Sequence, residues 1–378
     1  MRRGTLRVHE CPSRFIYAGV FMLKTTTISL LLAAVAACAA ETIIGGPAAV
    51  NVTSKSATIV WVVERDHATL KAKGSEEARV APSLHVEKVT YSSLKPGTVY
   101  EYEVSGSPAH KGSFKTAPAA DQPYEFVVFG DTRSRHEVHQ HVVDAILKYS
   151  QPEFVLHSGD LVADGSDSGL WPYFFNIEKN LLNKMAFFPA LGNHERNSRD
   201  FYEFFQVGAT PYYSFNWGNA HFTVMNSDIG NAATSAAARE TFWDEQTKWF
   251  EEDLKANQKA AYRFVMAHHP PITAVSRRQE SNPKMTALMP MFEQYHVTAG
   301  FFGHDHNYQH YLKNGVHYIV SGGGGAPLYD VDKPVDGITQ KVVSAEHFVR
   351  IRVNGKTAHA DAIALDGSTL DKIEFQAK

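Results

Sequence analysis

The chain has 378 residues, 44% of them hydrophobic and 20% charged, with a formal net charge of −3. This is too long for one typical core and too apolar for a disordered chain, so two globular domains are expected. A charge so near neutrality, without a Lys/Arg-rich arm, excludes the electrostatic footprint of a nucleic-acid binder.

Residues 1–40 read as an export signal. Met22-Leu23-Lys24 opens a short charged region, 28–37 is apolar, and Ala36-Ala37-Cys38-Ala39-Ala40 is a small-residue cleavage region. The apolar part is shorter than the ~20 residues that span a bilayer. Residues before Met22 fit poorly as the charged start of such a signal. Val35-Ala36-Ala37-Cys38 is similar to a bacterial lipobox, in which the cysteine is acylated and becomes the mature N-terminus. Plain cleavage near Ala39 or Ala40 is the other reading, and Cys38 is then lost. Either way the protein is placed in the periplasm, outside the cell or at the bacterial envelope, with a lipid on Cys38 as the expected membrane link. The other cysteine, Cys11, is removed in both cases, so the mature chain has no intramolecular disulfide.

Residues 41–117 read as a small all-β domain. Ser56-Ala57-Thr58-Ile59-Val60-Trp61-Val62-Val63 is rich in β-branched residues, and in Leu94-Lys95-Pro96-Gly97 proline presets φ while glycine accepts a positive one. Thr98-Val99-Tyr100-Glu101-Tyr102-Glu103-Val104 alternates as a half-buried strand does. With Trp61 in an early strand, Tyr100 as a candidate tyrosine corner and Phe114-Lys115-Thr116 at the close, the segment resembles a fibronectin type III domain of the kind that precedes the catalytic domain in purple acid phosphatases. Another small β-sandwich is the alternative.

After the linker-like Ala117-Pro118-Ala119-Ala120-Asp121-Gln122-Pro123, residues 118–378 change to a strand, loop, helix grammar. Apolar spacing predicts helices over 136–149, 171–183 and 241–256 and paired strands over 212–215 and 220–225. Trp171, Tyr173 and Phe174 are read as core. Strands over 348–353 and 356–364 flank Asn354-Gly355, a hairpin signal, so the last hundred residues are expected to add antiparallel edge strands to a mixed sheet.

Five apolar runs in this part each end in potential metal ligands: Asp131 after 126–130, Asp160 after 154–159, Asn193-His194 after 187–192, His268-His269 after 264–267, and Gly303-His304-Asp305-His306 after 297–302. Two histidines at i and i+2 bring both imidazoles to one strand end, where neutral ring nitrogens suit divalent transition metals. Carboxylates add oxygen ligands for harder ions. His269, before Pro270-Pro271, is read as structural rather than as a ligand.

The ordered blocks Asp131, Gly159-Asp160, Gly192-Asn193-His194-Glu195, His268 and Gly303-His304-Asp305-His306 resemble those of calcineurin-like metallophosphoesterases, and Tyr213-Ser214-Phe215 with His221-Phe222 is similar to the purple acid phosphatase branch. The resemblance implies an α/β (α+β) fold, two sheets packed face to face with helices outside. It further implies two metal ions, iron, zinc or manganese, bridged by Asp160. Asp131 and His306 complete the first site; Asn193, His268 and His304 complete the second. The implied function is hydrolysis of a small phosphorylated substrate, a phosphomonoester by preference or a phosphodiester as the alternative, through attack of a water deprotonated at the metals. His194 is placed to protonate the leaving alkoxide, with Glu195 orienting its imidazole. A surface binding protein with an inactive catalytic domain is the reading from another class. The oligomeric state has no sequence signal.

Two positions depart from the family. Purple acid phosphatases carry a tyrosine ligand three residues after the bridging aspartate, where this chain has Ala163. Other members carry a histidine two residues after the first aspartate, where this chain has Arg133. The first metal therefore lacks a ligand, for which His136 is favoured over His139, and Arg133 is expected to grip phosphate through its planar fork or else to lie on the surface.

Overall fold

A computed structural model describes residues 42–64, 84–105, 110–120 and 122–378, together with strands Arg3–Arg7, Ala68–Lys71 and Ala78–Ala81. Residues 8–40 of the expected export signal, Cys38 among them, lie outside the described residues.

The centre of the molecule is a run of three parallel strands, β6 (Tyr124–Phe129), β7 (Phe154–His157) and β8 (Ala186–Pro189). Their sequences are almost continuously apolar because both faces are covered. Alternation sorts the two faces. Phe126, Val128, Phe154, Leu156 and Phe188 point into one core cluster, while Val127, Phe129, Val155 and Phe187 point into another with helices α1 (His136–Tyr149) and α2 (Trp171–Leu182).

The first cluster is shared with a second sheet. That sheet contains β9 (Tyr213–Trp217), β10 (Ala220–Val224), β11 (Tyr262–Met266), β12 (Ala299–Phe302), β13 (Tyr308–Lys313), β14 (Val316–Ser321) and β15 (Thr339–Val343), in the order β9-β10-β11-β12-β14-β13-β15. Its β10 to β12 are parallel. The interface is aromatic: Phe126 stacks on Phe154 at 4.8 Å and meets the edge of Phe222 at 5.3 Å, and Phe188 stacks on Phe215 at 3.8 Å. Outside the second sheet, α3 (Ala236–Ala256) covers its other face with Trp243, Phe250 and Leu254. The layers are thus helix, sheet, sheet, helix.

Helix α1 spans the predicted 136–149. Helix α3 starts five residues before the predicted 241, at the Ser235 cap whose hydroxyl accepts Ala238 N–H at 3.1 Å. Its first turns are exposed, so apolar spacing could not mark them. At the other edge, β16 (His347–Asn354) pairs antiparallel with β6, and β17 (Thr357–Ala364) and β18 (Thr369–Gln376) follow, each antiparallel to the strand before it. The hairpin turns on Gly355-Lys356, one residue later than the Asn354-Gly355 signal, with Gly355 at φ 59°.

The 41–117 segment is β throughout its described elements, and it shares the main sheet. Strands β1 (Thr42–Val50), β2 (Ala57–Glu64) and β3 (Leu84–Tyr91) continue from β8, giving nine strands in the order β18-β17-β16-β6-β7-β8-β1-β2-β3. Close approach permits this: a Cβ on Gly45 would lie 2.5 Å from the ring of Phe175 in α2. Strands β4 (Val99–Val104) and β5 (His110–Lys115) pair in a separate small sheet, where the Tyr100 hydroxyl accepts Lys95 N–H at 2.9 Å.

Candidate metal centre

The C-terminal ends of β6, β7 and β8 from one sheet and of β11 and β12 from the other converge at one end of the double sheet. Asp131, Asp160, Asn193, His268, His304 and His306 come from the loops that leave those ends. Backbone hydrogen bonds stitch these loops together, Asp131 N–H to Gly159 O at 2.9 Å and Gly303 N–H to His268 O at 2.9 Å. Asp131, Asp160 and His304 all hold positive φ, 60°, 56° and 69°. Such conformations are rare for side-chain-bearing residues and gather at functional sites. Gly303 lets the two sheets meet, since a Cβ there would lie 2.5 Å from Asp131 Oδ2.

Three donor atoms form a near-equilateral triangle. Asn193 Oδ1 is 3.1 Å from His268 Nε2 and 3.0 Å from His304 Nδ1, and the two nitrogens are 3.2 Å apart. Asp160 Oδ1 is 3.4 Å from His268 Nε2. Donation from His304 Nδ1–H can account for its own two contacts but not for that between Asn193 and His268. His268 donates Nδ1–H to Ser158 O at 2.8 Å, so its neutral ring turns a bare Nε2 toward the Asn193 oxygen, acceptor against acceptor. His306 repeats the pattern: Nδ1–H goes to Pro327 O at 2.7 Å, and Nε2 faces Asp131 Oδ1 at 3.5 Å. Carbonyl partners on the outer nitrogen are the usual way of aiming an imidazole at a metal. Burial pushes the pKa values of His268 and His306 down to about 3 and that of His304 lower still, so the rings stay neutral. Asp131, fully buried, is pushed well up by burial and by the charge of Asp160. Buried carboxylates and bare imidazole nitrogens together lack positive charge, and the donor set fits two cations. Asp131, Asp160 and His268 lie close enough to share one, with Asp160 between the two groups.

Three expectations are corrected. Glu195 does not orient His194. Its Oε2 accepts Gly192 N–H at 2.7 Å and Asp160 N–H at 2.9 Å, and Oε1 accepts Leu161 N–H at 2.7 Å, so it clamps the β7 and β8 loops together. His194 is held instead by Ala163 O, which accepts Nδ1–H at 2.7 Å and leaves Nε2 3.9 Å from Asp160 Oδ2. His136 does not reach the first site: it is exposed and stacks on Tyr173 at 5.1 Å. Tyr173 itself is 56% exposed, whereas Trp171 and Phe174 are core as expected. His139 is committed to Glu178, Nε2 to Oε1 at 2.6 Å, with both side chains buried.

Arg133 lies at the centre, Nε 3.5 Å from Asp160 Oδ2 and without a hydrogen-bond partner. The sequence reading did not reach Asp305, Arg278 or Tyr329. Asp305 is fully buried and accepts from Thr273 Oγ1 and from Arg278 Nη1, the latter at 3.1 Å. It lies in a bend between two strands, so strand alternation gave no signal for it. His269 accepts or donates at Nδ1 to Ser227 Oγ at 2.9 Å, with its ring 4.2 Å from that of His304. It lies close enough to His268 and His304 to join a metal group.

The model of the calcineurin-like phosphoesterase family matches residues 124–308, the stretch that carries all six proposed ligands. Over this stretch the chain is similar to calcineurin-like phosphoesterases. Purple acid phosphatase 15 of Arabidopsis thaliana is 24% identical over 298 residues, covering 64% of this chain and 53% of its own length. The chain thus spans about half the length of the curated relatives it matches first. Among solved structures, the purple acid phosphatase PPD1 from yellow lupin superposes with a TM-score of 0.69 at 17% identity, over 87% of this chain and 74% of that one. PhoD superposes with a TM-score of 0.62 at 12% identity, over 89% of each chain. These likenesses show that the fold is of the purple acid phosphatase type.

Proposed function

We propose that the chain hydrolyses phosphate esters at a two-metal centre and prefers phosphomonoesters. The observation that carries this reading is the triangle of Asn193, His268 and His304 donors, with Asp160 joining it to Asp131 and His306. Asn193, His268 and His304 would hold one ion, Asp131 and His306 the other, and Asp160 both. Bound there, iron, zinc or manganese ions supply charge to the phosphoryl oxygens and acidity to water.

The chain's own groups do the rest. With Nδ1–H fixed on Ala163 O, His194 can donate from Nε2 only as an imidazolium, which makes it the general acid for the departing alkoxide. Arg133 has donors to spare for a phosphate, and a dianionic monoester offers its fork more charged oxygens than a diester does. The test is hydrolysis of 4-nitrophenyl phosphate and bis(4-nitrophenyl) phosphate by metal-loaded protein, metal-stripped protein and His304→Ala. Loss of activity in the last two is expected; full activity in either sinks the reading.

Export and the character of the N-terminal domain belong to the same proposal. The composition of 22–40 supports export with a mature start near Cys38, and N-terminal mass spectrometry of the secreted or membrane fraction tests it: a chain beginning at Met1 would overturn it. The Lys95 to Tyr100 hydroxyl bond and the packing of Ile59 with Tyr100 and Phe114 in one cluster support a fibronectin type III-like arrangement of these strands.

A further inference from the structure

Arg278 ends the short helical turn Ser276–Arg278, ten residues past His268 in sequence, and it lies beneath the loop that carries the other two histidines. Its Nη1 donates to the backbone oxygen of His304 at 2.8 Å and to Asp305 Oδ1 at 3.1 Å. Its Nη2 donates to the Tyr329 hydroxyl at 3.3 Å, and its guanidinium carbon lies 4.7 Å from the centre of that ring. Tyr329 in turn stacks on His306 at 4.1 Å and 24°, and its N–H bonds His306 O at 2.9 Å. One guanidinium therefore touches the backbone of His304 directly and the ring of His306 through Tyr329. Asp305 is braced from the far side by Thr273 and Gln309, so the strip from 304 to 306 is held from below at every residue.

We propose that Arg278 is a positioning residue that sets the aim of His304 and His306 together and so couples the affinities of the two ion sites. The proposal rests on the metal-centre reading. His304 belongs to the Asn193 triangle and His306 to the Asp131 pair, so a single side chain spans both ligand sets without touching either ion. Arginine is required by the geometry: a planar fork serves a carbonyl, a carboxylate and a phenol at once, whereas a lysine ammonium on the same stem reaches one or two of them. Tyr329 carries only the His306 half. Residues that orient ligands from outside typically change metal affinity 10- to 100-fold when removed.

The experiment is a titration of metal-free protein with Co(II), read by its absorption bands and by calorimetry, with His304→Ala and His306→Ala assigning the two binding steps. Arg278→Met is expected to weaken both steps 10- to 100-fold, Arg278→Lys to recover part of the loss, and Tyr329→Ala to weaken only the step lost in His306→Ala. Circular dichroism of each metal-free variant separates misaiming from unfolding. Should Arg278→Met not fold, the Tyr329→Ala and Arg278→Lys arms still decide. Wild-type affinity at both steps in folded Arg278→Met, or equal weakening of both steps by Tyr329→Ala, overturns the proposal. Wild-type protein that takes up no Co(II) would instead sink the metal-centre reading itself.

Discussion

Replacing Glu195 with alanine separates two roles that its position in Gly192-Asn193-His194-Glu195 leaves open. The structure gives its carboxylate three short contacts to backbone N–H groups, from Gly192, Leu161 and Asp160, all within the buried meeting point of two loops. Truncation orphans those three amides at about 1–3 kcal/mol each. Relief of the buried carboxyl, whose pKa burial and the Asp160 charge push up to about 8, offsets part of this. The net expectation is a loss near 3 kcal/mol, which lowers the melting temperature by roughly 6 °C at about 2 °C per kcal/mol for a chain of this size. Calorimetry of metal-free Glu195→Ala against wild type reads it directly. Because Asp160 N–H is among the released donors, Co(II) affinity should fall in the same variant. If the variant melts with the wild type, binds metal normally and changes only the pH profile of turnover, then Glu195 acts on His194 and the clamp is wrong.

Arg133→Ala should keep both metals and lose on the order of 2–4 kcal/mol of transition-state stabilisation, about 30- to 1000-fold in kcat/KM for 4-nitrophenyl phosphate, with metal content read by elemental analysis. Iron-loaded protein should show no visible tyrosinate charge-transfer band, because the position of the family's tyrosine ligand is Ala163; a strong purple band would mean that another tyrosine reaches the iron. His347 is fully buried, its Nδ1–H is on Ala345 O and its Nε2 has no partner, and burial lowers its pKa to about 4. The unfolded chain then takes up the proton first, so stability is complete above pH ~6.5 and about 3 kcal/mol is lost as pH falls to ~4. Melting curves from pH 7 to pH 4 should be flatter for His347→Phe than for wild type, and parallel curves would refute this.

Periodicity made most of the fold legible. The apolar stripe of α1 ends where its packing ends, so sequence and structure give it the same bounds. The early turns of α3 carry no apolar stripe because they meet solvent, and a serine cap, not burial, starts them. The union of β1 with β8 had no local signal at all. It depends on Phe175, from a helix more than a hundred residues away, lying against a bare Gly45, and no window along the chain contains both. A change from all-β to mixed composition near residue 117 marks a change of grammar, while the core clusters run through it unbroken, joining Ile59 and Phe114 to Phe126 in one group.

The site divides along the same line. Asp131, Asp160, Asn193, His268, His304 and His306 each follow directly on a buried strand, so the chain delivers them to a fixed point and their order alone nearly assembles the centre. His136 was favoured because it is near Asp131 in sequence. It shares a helix face with the buried Val143, seven residues on, but as the first residue of the helix it is exposed and stacks on Tyr173, whereas His139, one turn later, is buried against Glu178. Asp131, Asp160 and His306 are thus the donors proposed for the first site, with Arg133 beside Asp160. On the proposed two-metal reading, a cation at that position would repel an incoming ion and attract an incoming phosphate, lowering metal affinity at the first site while adding charge for the substrate. On the same reading Arg278, bonded to the Tyr329 hydroxyl while that ring stacks on His306, would support the first site.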